Sequence, residues 1–379
     1  MMNYKIENGK KNNPRLIAFY LPQFHPIPEN DEWWGKGFTE WTNLAKAKPL
    51  FRGHYQPIIP SELGFYDLRL PEVRVEQAEL AKEYGIEGFC YWHYWFGNGK
   101  RLLERPFNEV VNSGSPDFPF CLAWANHSWK GSTWHARGNV KDLLIEQKYP
   151  GKEDYINHFM SLLPAFKDKR YIRVDDKLLF LIYFPLESDE IEVFIKTWRS
   201  LADEYKLGDF YFVGRDTYSR DKKKLLSIGF DAVYNDNISN IYRPMSLFKK
   251  AMYWIQIKVL KYPIVIKYKD ATKYLITDDE KDETSFPVIL PNWDRTARAG
   301  RKAIILKDAE PAYFQNLLEK TLDTIKFKKP EKQIVFIKAW NEWAEGNYLE
   351  PDLKFGRGYL EAIKNALINF NSQKKTIEQ

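Results

Sequence analysis

Short unbroken apolar runs punctuate this chain, and most are followed by a stretch with a helical hydrophobic period. The runs are Leu16–Tyr20, Ile86–Trp92, Pro119–Asn126, Lys177–Phe184, Asp209–Gly214, Asp231–Asn235, Phe286–Asn292 and Gln333–Trp340. Runs of this length without polar alternation read as strands buried on both faces. Between them, helices are predicted over 71–84, where Pro71 suits the first position and Gly85 the stop, and near 102–112, 152–166, 191–205, 222–228, 311–325 and 358–370. Ile191, Phe194, Ile195, Trp198, Leu201 and Tyr205 share one helical face. Residues 241–276 are ambiguous, and 26–66 are rich in Pro, Gly and Trp with no period. That is roughly forty residues of irregular loop, a length that usually carries function.

Strand–helix alternation predicts a parallel sheet, and eight repeats predict a closed (β/α)8 barrel in one α/β domain over 14–371, with loose ends at 1–13 and 372–379. A doubly wound open sheet is the alternative. It is disfavoured because no Gly-x-Gly-x-x-Gly or Gly-x-x-x-x-Gly-Lys-Ser/Thr follows any strand.

Composition narrows the function. The 379 residues are 16% aromatic, with 13 Trp, and carry a net charge of only +6. No basic cluster is interleaved with stacking aromatics, so no nucleic-acid partner is expected. Cys90 and Cys121 lie inside apolar runs and read as buried thiols. The N-terminal stretch lacks an apolar segment of signal-peptide or membrane-spanning length, so the default compartment is the cytoplasm. One segment qualifies this. Residues 249–274 mix seven lysines with Met, Trp, Ile, Val and Leu, which reads either as a solvated helix face or as a basic amphipathic surface touching anionic lipid at the inner membrane face.

In a barrel of this type the site lies where the strands end, and all but Trp198 and Trp254 of the tryptophans fall at those ends or in the loops after them. The candidate lining is Tyr20, Gln23 and His25 after strand one, with Trp41 in its long loop. Strand two contributes Tyr91 and His93, and strand three Trp124, Asn126 and His127. Asn235 follows strand six, Trp293, Asp294 and Arg298 follow strand seven, and Trp340, Asn341 and Trp343 close strand eight. Such walls suit sugars, whose C–H faces lie on aromatic rings while polar side chains bond the hydroxyls. Glu342 and Glu345, three apart at the mouth of strand eight, can converge as the two carboxyls that glycosidic-bond chemistry uses. The alternative for each is a loop cap. With no His-x-x-x-His or His-Glu-x-x-His, neither a metal nor a cofactor is expected.

These residues carry a family resemblance. Ala18–Asn43 (with its Tyr-Leu-Pro-Gln-Phe-His and Gly-Phe-Thr-Glu-Trp), Gly53–Pro57, Leu63–Leu68, Gly88–Phe96 and Trp340–Gly346 resemble the WbsX family, glycoside-hydrolase-family-99-like proteins of bacterial O-antigen and capsule loci. The resemblance runs from about residue 15 to 365 and implies a (β/α)8 barrel acting on glycosidic bonds of a polysaccharide or its lipid-linked precursor. By the same resemblance, Glu342 would draw the proton from the sugar 2-OH, giving a 1,2-anhydro sugar. Glu345 would protonate the leaving oxygen, and the outcome would be retention. Two departures stand out. Ala125-Asn-His127-Ser-Trp129 replaces the usual Ala-Asn-Glu-Asn-Trp, removing a carboxylate, and Trp293-Asp-Arg-Thr-Ala-Arg298 replaces Trp-Asp-Asn-Thr-x-Arg. A retaining endo-glycosidase or transglycosidase is therefore expected. A sugar-nucleotide-dependent glycosyltransferase and a non-catalytic glycan-binding protein are the alternatives.

Overall fold

A computed structural model describes residues 13–131, 142–217, 219–235, 238–241, 247–260 and 262–377. Residues 1–12 of the expected loose N-terminus lie outside them, as do Trp134, His135, Asp236, Asn237 and Lys261.

Eight strands close into a parallel barrel. They are β1 (Arg15–Tyr20), β2 (Gly88–Trp95), β3 (Phe120–Trp124), β4 (Lys177–Ile182), β5 (Phe210–Arg215), β6 (Ala232–Asn235), β7 (Ser285–Ile289) and β8 (Ile334–Ile337). Each pairs with the next in parallel, and β8 returns to β1 with Ile17 opposite Phe336. Helices α1 (Pro71–Glu83), α2 (Arg105–Ser113), α3 (Lys152–Phe166), α4 (Ile191–Glu204), α5 (Lys222–Ser227), α6 (Leu247–Lys258), α7 (Pro311–Ile325) and α8 (Gly358–Ile377) follow in chain order. This is the expected (β/α)8 barrel. Its strands are apolar throughout because the interior takes one set of side chains and the helix layer takes the other.

The interior plug is aromatic. Phe19 stacks on Trp92 at 4.7 Å and on Phe336 at 5.6 Å, with Tyr234 5.9 Å away. Alternate residues face outward. Tyr20 lies 4.4 Å from Tyr91, and Trp198 of α4 lies 4.7 Å from Phe180 of β4.

Several details differ from the sequence reading. β2 runs on to Trp95 and pairs antiparallel with Arg101–Leu102. The long first loop contains helical turns at Pro28–Trp34 and Glu40–Ala45. The ambiguous 241–276 region holds α6 and then Ile264–Lys267, which joins Ile304–Lys307 and Trp293–Asp294 in a small second sheet. α8 continues through the expected loose tail to Ile377, because its last turns complete their own backbone bonds whether or not the side chains are apolar.

Candidate active site

The end of β8 turns sharply. Asn341–Glu342 pairs antiparallel with Asn347–Tyr348, and Trp343–Glu345 form one 3₁₀ turn between them. Gly346 closes that turn at φ 62, and a Cβ there would sit 2.7 Å from the Asp294 nitrogen, so the position suits only glycine. The tight turn brings Glu342 and Glu345, 5% and 8% exposed, within hydrogen-bond reach of each other.

Each carboxyl has its own partners. The Trp92 indole N–H donates to Glu342 Oε1 at 2.7 Å. Arg298 donates to Glu345 Oε1 at 2.8 Å and, through its other terminal nitrogen, to Glu40 Oε1 at 2.6 Å. Arg295 reaches Glu345 at 3.1 Å. Glu40 is fully buried and also accepts from the Ala344 N–H at 3.1 Å, which ties the first long loop to the turn between the glutamates. Lys338 sits 5.3 Å from the Trp293 ring and 5.9 Å from the Tyr183 ring, close enough to act electrostatically on both carboxyls.

The environments split the pair. Burial pushes Glu342 above the ordinary carboxylate range. Neighbouring Glu345 adds to that push, while Lys338, Arg298 and the Trp92 N–H offset only part of it. Burial alone would also raise Glu345, but Arg295, Arg298 and Lys338, with a hydrogen bond from Glu342, bring it down to about 2. Burial raises Glu40 despite Arg298. For Arg298, burial acts downward, and Glu40, Glu345 and Glu342 more than reverse it. The two carboxyls therefore differ in proton affinity, Glu342 binding a proton more tightly than Glu345. Two carboxyls of unlike proton affinity, side by side and shielded from water, can give and take a proton at one bond.

The expected lining residues separate into groups. Arg298 bonds Glu345, and the Trp293 ring lies beside Lys338 and Arg295. Asp294 lies one residue row behind them, accepting from His54 Nε2 at 2.7 Å, Gln56 at 3.0 Å and the Thr296 N–H at 3.0 Å. Tyr20, Tyr91, His93 and Trp124 face the helix layer instead. The Tyr20 hydroxyl donates to Gln77 of α1 at 2.6 Å, Tyr91 packs on Phe107 of α2, His93 meets His158 of α3 at 2.7 Å, and the Trp124 ring lies 5.1 Å from Phe194 of α4. Asn126 and Asn341 stitch strand ends together, Asn126 to the Phe184 backbone at 2.8 Å and Asn341 to the Leu21 N–H at 2.7 Å.

Trp41, Trp340 and Trp343 support the turn from behind. Trp343 stacks on Tyr348 at 4.1 Å and lies 5.7 Å from Trp41, while Trp340 packs on Phe89 at 5.2 Å. Gln23 and His25 are buried beside the first loop. Gln23 has no hydrogen-bond partner on its side-chain amide, and burial takes His25 down to about 4. His127, where the family usually carries a carboxylate, lies 5.9 Å from the Tyr183 ring. Burial, helped by Arg215, takes it to about 4, so it is neutral at ordinary pH. Asn235 bonds Ser219.

Glu40, Trp92, Tyr94, Tyr183 and Lys338 are the site residues that sequence reading missed. Trp92 and Tyr94 have the opposite parity to Tyr91 and His93. All eight residues of β2 are buried, so no polar alternation reveals which set faces inward. Glu40 does carry a signal, as the carboxylate in Phe38-Thr-Glu-Trp41. Among the described residues, no cluster of His, Cys, Asp and Glu could hold a metal ion, and no helix is long and apolar enough to cross a membrane.

The family described as "Glycosyltransferase WbsX" matches residues 16–363. The chain belongs to the WbsX family. It is 38% identical over 359 residues to the uncharacterized protein WxcX of Xanthomonas campestris pv. campestris, covering 93% of this chain and 49% of that relative. This WbsX chain thus spans about half the length of the curated relatives it matches. Among solved structures, a glycoside hydrolase-like protein aligns with a TM-score of 0.59 at 13% identity, covering 94% of each chain. The endo-alpha-mannosidase of glycoside hydrolase family 99 from Bacteroides thetaiotaomicron aligns at 0.54 and 14% identity, covering 96% of the WbsX chain and 99% of its own. At such identities the likeness is one of fold.

Proposed function

We propose that this protein works on glycosidic bonds of a bacterial surface glycan or its lipid-linked precursor, as a retaining endo-glycosidase or transglycosidase with Glu342 and Glu345 as its acid–base pair. The observation that carries this reading is the pair itself: two buried glutamates of unlike proton affinity converging at the mouth of β8 and braced by Trp92, Arg298 and Glu40. A sugar entering between them opens the carboxyls toward the roughly 5–5.5 Å that retention uses.

In the division of roles implied by the family resemblance, a proton must first be carried by Glu345, against its lower affinity. Glu342 then takes the 2-OH proton as O2 closes on C1, and Glu345 protonates the departing oxygen. The higher proton affinity of Glu342 favours a second division, with Glu342 as acid and Glu345 as base.

Aryl glycosides with good leaving groups decide between them. Replacing either glutamate by Gln lowers turnover of a natural glycan by about 10²- to 10⁴-fold. Only the variant lacking the acid regains turnover on the aryl substrate. Full activity in both variants refutes the pair, and dependence on a sugar nucleotide with Mg²⁺ favours the glycosyltransferase alternative.

The membrane setting is part of the same proposal. Met252 and Ile255 lie along one side of α6, and with Trp254 and, just past its end, Val259 and Leu260 they are 46–68% exposed. Exposed lysines at 258, 267, 269 and 273 accompany them. An apolar stripe bordered by cations is complementary to anionic lipid.

A further inference from the structure

A cavity lies beside Asp294 and Gly346, which touch each other and both line it, while Glu342 and Glu345 are not among its lining residues. Its volume is about 120 Å³. That is several times the roughly 10–15 Å³ that one water requires, so it admits a small ring rather than a single water. Tyr55, Phe355 and Tyr359 provide aromatic walls.

The polar groups select a neutral ligand. Rim residues Lys307 and Lys354 balance Asp308 and Glu310. Inside, His54 accepts the Leu50 N–H on Nδ1 at 3.0 Å, so its Nε2 carries the proton it gives to Asp294. The inner wall therefore has one negative charge, which repels a diphosphate or a sugar nucleotide. Two lining residues, Asn292 at 8% and Trp293 at 6% exposure, have a side-chain atom without a hydrogen-bond partner: the acceptor Asn292 Oδ1 and the donor Trp293 Nε1. A hydroxyl is both donor and acceptor and can serve either.

We propose that this cavity is a second binding pocket, taking a single uncharged pyranose unit of the glycan on which the glutamates act. The inference rests on the glycan reading of Glu342 and Glu345. Asp294 connects the two places. It bonds Thr296 at the start of the short helix Thr296–Ala299, whose Arg298 clamps Glu345. A sugar seated against Asp294 is thus one helical turn from the catalytic clamp, positioned to set which glycan is accepted.

The test uses saturation-transfer NMR with the whole chain and a panel of neutral methyl hexopyranosides. At least one member is expected to bind the wild type and Glu342→Gln alike. Binding is lost in Ala309→Trp, which fills the cavity, and weakens roughly five- to tenfold in Tyr55→Ala, which removes one aromatic wall. No binding by any member overturns the proposal, as does binding that survives Ala309→Trp or displacement by UDP. Cleavage and transfer are scored separately with lipid-linked oligosaccharide. Activity without pocket binding refutes the pocket alone, and pocket binding without activity refutes the reading of the glutamates alone.

Discussion

Glu350 sits directly behind the turn that carries Glu342 and Glu345. Its carboxyl accepts from the Trp343 indole at 2.6 Å, from Gln77 at 2.6 Å and from the Tyr66 hydroxyl at 2.9 Å, and no cation is among these partners. It is 1% exposed. Burial disfavours the ionised form more than the donors favour it, and the group is pushed from 4.5 up to about 7. The folded state therefore keeps a proton that the unfolded chain releases near the ordinary value. This contribution to stability is fully present below about pH 4.5 and is lost as pH rises through 7. At about 1.4 kcal/mol per pH unit between the two values, the whole effect is roughly 3 kcal/mol. Glu350→Gln keeps the shape and stays neutral. Urea unfolding of both proteins at pH 5 and pH 8 should show the wild type losing about 2–3 kcal/mol relative to the variant over that interval. Parallel stability curves would refute the reasoning, because they would mean that Glu350 is ionised throughout. Trp343 belongs to the turn between the glutamates, so the same titration should loosen that turn and lower activity of the wild type, but not of the variant, above pH 7.

Other perturbations follow from the same geometry. Arg298→Met leaves Glu40 and Glu345 buried without their shared cation and should destabilise by about 3–5 kcal/mol, measured by urea unfolding. A loss below about 1 kcal/mol would mean that water reaches the clamp. Trp92→Phe removes the donor that favours ionised Glu342, so that glutamate should titrate about one pH unit higher in the pH–rate profile. An unmoved profile would remove Glu342 from the titrating pair. Trp254→Ser with Leu260→Ser should abolish sedimentation with anionic vesicles while leaving thermal stability within a few degrees. Equal sedimentation of wild type and variant would rule out α6 as the contact.

The barrel was legible because its signal is redundant. Eight apolar runs, each long enough for a buried strand, recur with helical periods between them, and misplacing one boundary leaves the count intact. The carboxyl pair was legible because Glu342 and Glu345 are local, three residues apart on a run that must end at the barrel mouth. Their surroundings were not. Glu40 and Arg298 are 258 residues apart in the chain and meet only because the first loop folds across the end of β7. Tyr91 and Trp92 are neighbours of nearly equal hydrophobicity, and a strand buried on both sides carries no cue to which of them faces inward. The second sheet was missed because Ile264–Lys267 and Ile304–Lys307 are four residues each and find partners only in each other and in Trp293–Asp294.

Local chemistry by itself therefore determined the strand and helix order and the end of the barrel at which Glu342 and Glu345 converge. Hydrophobic period and short-range spacing are properties of neighbouring residues. Tertiary structure decided the rest. It determined which parity of β2 faces the carboxyls, which cations lower Glu345 while burial raises Glu342, and where Asp294 meets Gly346 at the cavity wall. Those outcomes depend on burial and on charges brought together from distant loops, and neither quantity exists until the chain has closed on itself.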